Sequence, residues 1–175
     1  MKKLLWSTQV WKMFNIKSHK SENIDILDIP FARVNEAEIS TQVIQFTQPT
    51  IVVTPNIDHI VRAYNNHHLK ELYVNADLCI NDSRVLSFLL KSFFSITLPA
   101  VPGSDLTRKL LSSTDINNRT IAIIGGDDIQ IDKLKLDVIN NDKVIVKHIN
   151  PPMNFYYDDL KISHVLDFIQ ASNAD

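Results

Sequence analysis

Ile51-Val52-Val53-Thr54-Pro55-Asn56-Ile57-Asp58-His59 is the stretch whose reading decides the fold of this 175-residue chain. A short β-branched run ends abruptly in hydroxyl, proline and amide, and apolar residues then recur at helical spacing through Ile57, Ile60, Val61 and Tyr64. That is a buried strand, a polar loop and a helix. Ala76-Asp77-Leu78-Cys79-Ile80-Asn81-Asp82 repeats the pattern, with a strand at Leu78 to Ile80 and an apolar helix through Val85, Leu86, Phe88, Leu89 and Leu90. Open α/β sheets place ligands at the carboxyl ends of their strands, which is where Thr54, Asn56 and Asp82 fall.

Outward from these motifs the alternation continues. Ile24 to Ile29 reads as a first strand that Pro30 ends, and Asn35-x-x-Glu38 as a capping box opening a helix. Leu98 to Gly103 is a loop, since its prolines remove amide donors. Ser104 caps a helix containing Leu106, Leu110 and Leu111. Thr120 to Ile124 is a buried strand closed by Gly125-Gly126, followed by a helix from about Asp127 to Ile139. Val144 to Ile149 is a strand, Asn150-Pro151-Pro152 a loop, and Asp158 to Gln170 the last helix. Strands alternating with helices predict an α/β fold: a mostly parallel sheet of about five strands, helices on both faces, Rossmann-like in plan. We place a basic arm at residues 1–20 and a single α/β domain at 21–175.

Composition narrows the function classes. With 45% hydrophobic and 22% charged residues the chain has material for a real core. A net charge of -2 gives no general reason to expect nucleic acid. One cysteine, Cys79, excludes an internal disulfide and reads as a buried thiol. No apolar run reaches 18 residues, so no transmembrane helix is predicted. Only Gly103, Gly125 and Gly126 are glycines, which excludes a glycine-rich phosphate loop. The first 20 residues carry five lysines and no acid, with Trp6, Trp11 and Phe14 among them. Such an arm suits an anionic membrane surface, although its apolar residues do not form one helical stripe; a plain flexible or packed arm is the competing reading.

Several residues can carry chemistry. Asp82 at a strand end can take a hydroxyl proton, or cap the following helix. Thr54 and Asn56 offer a hydroxyl and an amide suited to sugar hydroxyls, while Asn56 also suits a helix cap. Gly103-Ser104-Asp105 opens a helix whose amides and dipole could receive a diphosphate; Asp105 opposes an anion and fits a cap or a sugar contact better. Gly125-Gly126 allow a nucleotide close to the backbone, or simply make a turn, and Asp127 and Asp128 argue against phosphate there. His67 and His68 are adjacent and diverge on a helix, so they make no metal pair. No Asp-x-Asp motif ends a strand, which argues against a transferase that grips diphosphate through a divalent cation. Neither metal nor cofactor is expected.

Taken together, Thr54-Pro55-Asn56, the Ala76–Asp82 strand, Gly103-Ser104-Asp105-Leu106 and Gly125-Gly126 resemble the WecG/TagA/CpsF glycosyltransferases of bacterial surface-polymer synthesis. The resemblance runs from about Ile24 to the C-terminus. It implies inverting transfer of an N-acetylhexosamine-type sugar from a UDP donor to a polyprenyl-diphosphate-linked sugar, at the cytoplasmic face of the membrane. It implies Asp82 as base and Thr54 and Asn56 as lining of the donor-sugar pocket. Departures exist: Asp82-Ser83 stands where members usually have Asp-Gly, Ala100 where a basic residue is common, and Asn154 where glycine often follows the prolines. Arg84 is a nearby cation that could supply part of the positive charge. The chain ends at Asn173-Ala174-Asp175, where the family leads into a further strand and a Gly-x-Pro-Lys-Gln-Glu-type loop. We therefore expect C-terminal truncation, impaired transfer and an exposed sheet edge that an oligomer would cover. The alternative expectation is a non-catalytic α/β remnant or partner module that binds a nucleotide sugar or a protein.

Overall fold

The computed structural model describes residues 17–18, 23–136 and 144–175. Apart from Lys17–Ser18, the basic arm at residues 1–20 lies outside them. By Cα proximity the chain forms two compact units, Met1–Thr107 and Arg108–Asp175.

The first unit begins with an antiparallel sheet ordered β1 (Lys17–Ser18), β2 (Asn23–Ile26), β3 (Ile29–Ala32). The single strand expected at Ile24–Ile29 is instead a hairpin. Leu27 and Asp28 both have positive φ, 55° and 64°, as a two-residue turn of the type matched to strand twist requires. No glycine or Asn-Gly pair announced it. Pro30 sits inside β3, where it is tolerated for a geometric reason. Ile26 and Ile29 flank the turn as the hydrogen-bonded pair, so the next pair, Asp25 with Pro30, exchanges no ladder bonds and the missing N–H faces away from β2. Ile24, Ile26, Ile29 and Phe31 are buried.

Helix α1 (Glu36–Ile44) opens on the expected box: Asn35 accepts from the Glu38 amide, and the Glu38 carboxylate accepts from the Asn35 amide. Strands β4 (Val52–Val53) and β5 (Leu78–Cys79) pair in parallel, Val52 with Leu78 and Val53 with Cys79. The extended pairing runs further than the strands themselves. Leu78, Ile80 and Asp82 donate from their amides to the carbonyls of Ile51, Val53 and Pro55 at 3.1, 2.8 and 3.2 Å. Between these strands lie α2 (Ile57–Tyr64) and α3 (His67–Val74), and α4 (Arg84–Phe94) follows β5. Their inward residues keep helical spacing: Ile60 and Ala63 on α2, Leu86 and Leu90 on α4. With the hairpin, Cys79, Ile96 and Leu98 they form one buried cluster.

Helix α5 (Gly103–Leu111) carries the chain into the second unit. It begins two residues earlier than expected: Pro102, not Ser104, precedes the first turn, and its carbonyl accepts from Asp105 and Leu106. The second unit holds β6 (Thr120–Ile124), α6 (Asp128–Leu134), β7 (Ile145–Ile149) and α7 (Asp159–Ser172). β6 and β7 pair in parallel along their whole length, Thr120 with Ile145 through Ile124 with Ile149. Leu111 and Ile116 are buried here, with Ile121, Leu134, Val144 and Val146 packed against them.

The class is therefore α/β, with parallel strands joined by helical crossovers in each unit. The described strands pair within three sheets, one of three strands and two of two; pairing into a single five-stranded sheet is not seen among the described residues.

Candidate functional site

The parallel pairing in the first unit delivers two polar loops to one place. The Asp82 amide donates to the Pro55 carbonyl at 3.2 Å, so Thr54-Pro55-Asn56 and Asp82 are backbone neighbours at the carboxyl ends of β4 and β5. A third motif joins them. A Cβ placed on Gly103 would stand 2.5 Å from Thr54 Oγ1, closer than real atoms approach. Glycine at 103 is thus what lets the start of α5 lie against the Thr54 hydroxyl. Thr54, Asn56, Asp82, Gly103 and Asp105 are half-buried, whereas Arg84 and Ser104 are exposed.

The structure separates two roles that the sequence left joined at Asp82. Ser83, not Asp82, caps α4: its hydroxyl accepts from the Leu86 amide at 3.1 Å. The Asp82 carboxylate has no hydrogen-bond or ion-pair partner among the described residues, so both of its oxygens remain available. Arg84 is the first residue of α4. A cation at a helix N-terminus opposes the dipole, typically by about 0.3–1 kcal/mol. Helix stability therefore does not account for its placement.

Asn56 does cap α2. Its Oδ1 accepts from the His59 amide at 3.1 Å, and its own amide donates to His59 Nδ1 at 3.2 Å. This is a capping box with histidine in the place of glutamate. Because Nδ1 accepts, the neutral ring carries its proton on Nε2. The Asn56 side-chain NH2 has no partner among the described residues, so the cap leaves both donors to spare.

Asn81 carries no motif of its own in the sequence, yet it organises the whole strand end. It is fully buried. Its Oδ1 accepts from the Ser83 amide at 2.8 Å; its Nδ2 donates to the Ser83 carbonyl, Ser87 Oγ and the Pro99 carbonyl at 3.1, 2.8 and 3.1 Å. The Val101 amide in turn donates to the Asn81 carbonyl at 2.8 Å. One amide side chain thus fixes the β5 end, the start of α4 and the loop that leads to Gly103. An asparagine wedged between Ile80 and Asp82 after an apolar run was the available signal. Cys79, just before it, is buried, and burial pushes its thiol up to about 12.

In the second unit Gly125 and Gly126 close β6 with φ of 94° and 80°. Both conformations favour glycine. Asp127 caps α6, accepting from the Gln130 amide, and the Gln130 side chain returns a bond to the Asp127 amide. The turn reading of this pair therefore holds, whatever it also contacts.

Among the described residues no three His, Cys, Asp or Glu side chains gather where they could hold a metal ion, and no helix is long and apolar enough to cross a membrane. Comparison with known proteins gives one positive finding. The family model described as glycosyl transferase WecG/TagA/CpsF family matches residues 24–175. No curated protein matches the chain.

Proposed function

The chain belongs to the WecG/TagA/CpsF glycosyl transferase family, and we propose that it moves an N-acetylhexosamine-type sugar from a UDP donor to a polyprenyl-diphosphate-linked sugar. Sugar-nucleotide donors and lipid-linked acceptors are what the family implies in general; the particular sugar, acceptor and residue roles are the proposal. In it, an acceptor hydroxyl oxygen attacks the anomeric carbon and the bond to the UDP oxygen breaks with inversion. The hydroxyl proton passes to Asp82. UDP leaves with the bonding electron pair.

The observation that carries this reading is the carboxylate of Asp82. It stands at a strand end beside the Thr54-Pro55-Asn56 loop, with no partner among the described residues and with the capping duty taken by Ser83. A general base has to be held in place by its backbone while its carboxylate stays uncommitted. Thr54 and the spare NH2 of Asn56 offer donors for sugar hydroxyls, and Asp105 an acceptor. Ser104 and the backbone at Gly103, with Arg84, are assigned to the diphosphate, and Gly125 and Gly126 to the nucleotide. Arg84 would gain at an anion what it costs the helix end. The proposed setting is the cytoplasmic face of the membrane, with the basic arm as one contact. The five-stranded Rossmann-like sheet and the single domain over 21–175 belong to the same proposal.

The test is UDP release from a panel of UDP-N-acetylhexosamines with a lipid-diphosphate-sugar acceptor. Acceptor-dependent release is expected, and Asp82→Asn should lower it by about 10²–10⁴-fold with UDP binding retained. Undiminished turnover in Asp82→Asn would remove Asp82 from the chemistry. UDP-sugar binding without any turnover would favour the binding-module reading.

A further inference from the structure

We propose that His148 is the positioning residue of the Gly125–Gly126 turn, and that the turn it holds contacts the neutral nucleoside part of the donor, not its diphosphate. The second half rests on the reading above that the donor is a UDP-sugar.

The latch is geometric. His148 lies on β7 opposite Ile123 of β6, and its side chain is 12% exposed. Its Nε2 lies 3.0 Å from the Gly125 carbonyl oxygen and 3.1 Å from that of Gly126. Carbonyl oxygens only accept, so Nε2 carries the proton and donates to both. Nδ1 faces Asp128 at 3.6 Å, beyond hydrogen-bond range, and that carboxylate is 95% exposed. The pair adds little, and the two carbonyl bonds are what His148 contributes. The Gly125 amide is also fixed, donating to the Ile149 carbonyl at 2.8 Å.

The peptide group is planar and trans, so its C=O and N–H point in opposite directions. Holding the Gly125 carbonyl on His148 turns the Gly126 N–H away from the ring. The next amide, Asp127, is engaged by Gln130 at 3.1 Å. The Gly126 N–H has no partner among the described residues. Nothing stands within 4 Å of where a Gly125 Cβ would be. Packing therefore does not demand glycine at 125; φ does, and the open space admits a ligand. The turn thus presents one oriented backbone donor beside unfilled space. Asp127 and Asp128 follow it immediately, and both are exposed. Two carboxylates repel a diphosphate and tolerate a uracil carbonyl or ribose hydroxyl.

The experiment compares the parent chain with His148→Leu and His148→Gln, whose amide Nε2 has the reach of the imidazole Nε2. Backbone amide resonances are followed during titration with uridine and with UDP. Without ligand, His148→Leu should move the Gly125 and Gly126 resonances and His148→Gln should largely restore them. Uridine should shift the Gly126 resonance of the parent. His148→Leu should weaken uridine and UDP by the same factor, about threefold to tenfold for loss of a shared hydrogen bond. Unmoved glycine resonances in His148→Leu would overturn the latch. Weakening of UDP alone would overturn the nucleoside assignment. A Gly126 resonance deaf to UDP, while Asn56 and Asp82 respond, would overturn this inference and leave the proposed function standing. Silence at all of these positions would overturn both. Should His148→Leu fail to fold, His148→Gln and the parent's response to uridine still decide.

Discussion

The two units hold themselves together by different means. The second has the longer parallel ladder, five paired residues between β6 and β7 against two between β4 and β5. Yet its β strands are only half-buried, and Ile145, Leu136, Met153, Tyr157 and Leu160 are exposed. The first unit has short strands and a closed core, in which Ile24, Phe31 and Leu90 show almost no surface. Ladder length is thus a poor guide to where stability resides. A backbone hydrogen bond replaces one to water and contributes about 1 kcal/mol net, whereas a fully buried large side chain contributes about 1.5–3 kcal/mol. The Thr54-Pro55-Asn56 loop and Asp82, to which the proposal gives the sugar and the proton, grow from the unit with the tighter core. That is the arrangement expected when a rigid scaffold positions polar loops.

The contrast between the units can be broken most directly in the closed core. Phe31→Ala should destabilise the first unit by about 3–5 kcal/mol, since a large side chain leaves a cavity there. Val146→Ala, in the half-buried cluster of the second unit, should cost only about 1 kcal/mol. Equal shifts in denaturation midpoint would mean that burial does not distinguish the units.

Next in size is Asn81. Asn81→Leu keeps the volume and strands the Ser83 amide and the Pro99 carbonyl in the interior, at about 2–4 kcal/mol. A loss below about 1 kcal/mol, read by urea unfolding, would show that the buried amide does not hold the loops.

Smaller still is the contrast between neighbours. Ser83→Ala should cost about 1 kcal/mol through the lost cap of α4. Asp82→Ala should change stability by less than about 0.5 kcal/mol, as a half-buried group with no partner among the described residues does. Reversed magnitudes would return Asp82 to a capping role.

The least effect is on pH dependence, and it has opposite signs in the two units. The raised Cys79 thiol keeps its proton in the folded chain. Its contribution is complete below the ordinary value of 9.0 and is lost as pH climbs towards about 12. Asp158, at the start of α7, has its carboxyl lowered by a side-chain bond from Lys161. Its contribution is present above the ordinary aspartate range and disappears as pH falls through the lowered value. Melting curves of Cys79→Ala should be flatter on the alkaline side, and those of Asp158→Asn on the acid side. Unchanged slopes would remove either group from the pH response.

Features set by one short stretch of chain were legible in the sequence. The Asn35–Glu38 box, the Asn56 cap and the β6 strand stand where local pattern put them. Two-residue strands such as β4 and β5 are visible because short apolar runs end abruptly in polar residues. What was not legible depends on distant partners. Leu27 and Asp28 carry no turn signature, so the hairpin looked like one strand. Asp82 and Ser83 are both good caps, and only the fold shows which one bonds to Leu86. His148 has no local signature in its strand, since its bonds to Gly125 and Gly126 span more than 20 positions. The joining of Thr54, Asp82 and Gly103 was foreshadowed by strand-end logic, but the steric demand for glycine at 103 was not.

The turn at Leu27 and Asp28 bears on the order in which the molecule assembles. Left-handed backbone at a leucine costs about 1–2 kcal/mol, so this hairpin is a poor nucleus on its own. Asp28 is held by Lys70 on α3, with 2.8 Å between carboxylate and ammonium and 42 positions of chain between them. The shortest loop in the sheet is therefore anchored across a long excursion of chain. Contacts of such separation form after the chain between them has condensed. We expect the amino-terminal sheet to dock late, on a transition state built from the β4–β5 region. Lys70→Ala should then speed unfolding while leaving the refolding rate nearly unchanged in stopped-flow measurements. A slowed refolding limb would place the hairpin among the first structures to form.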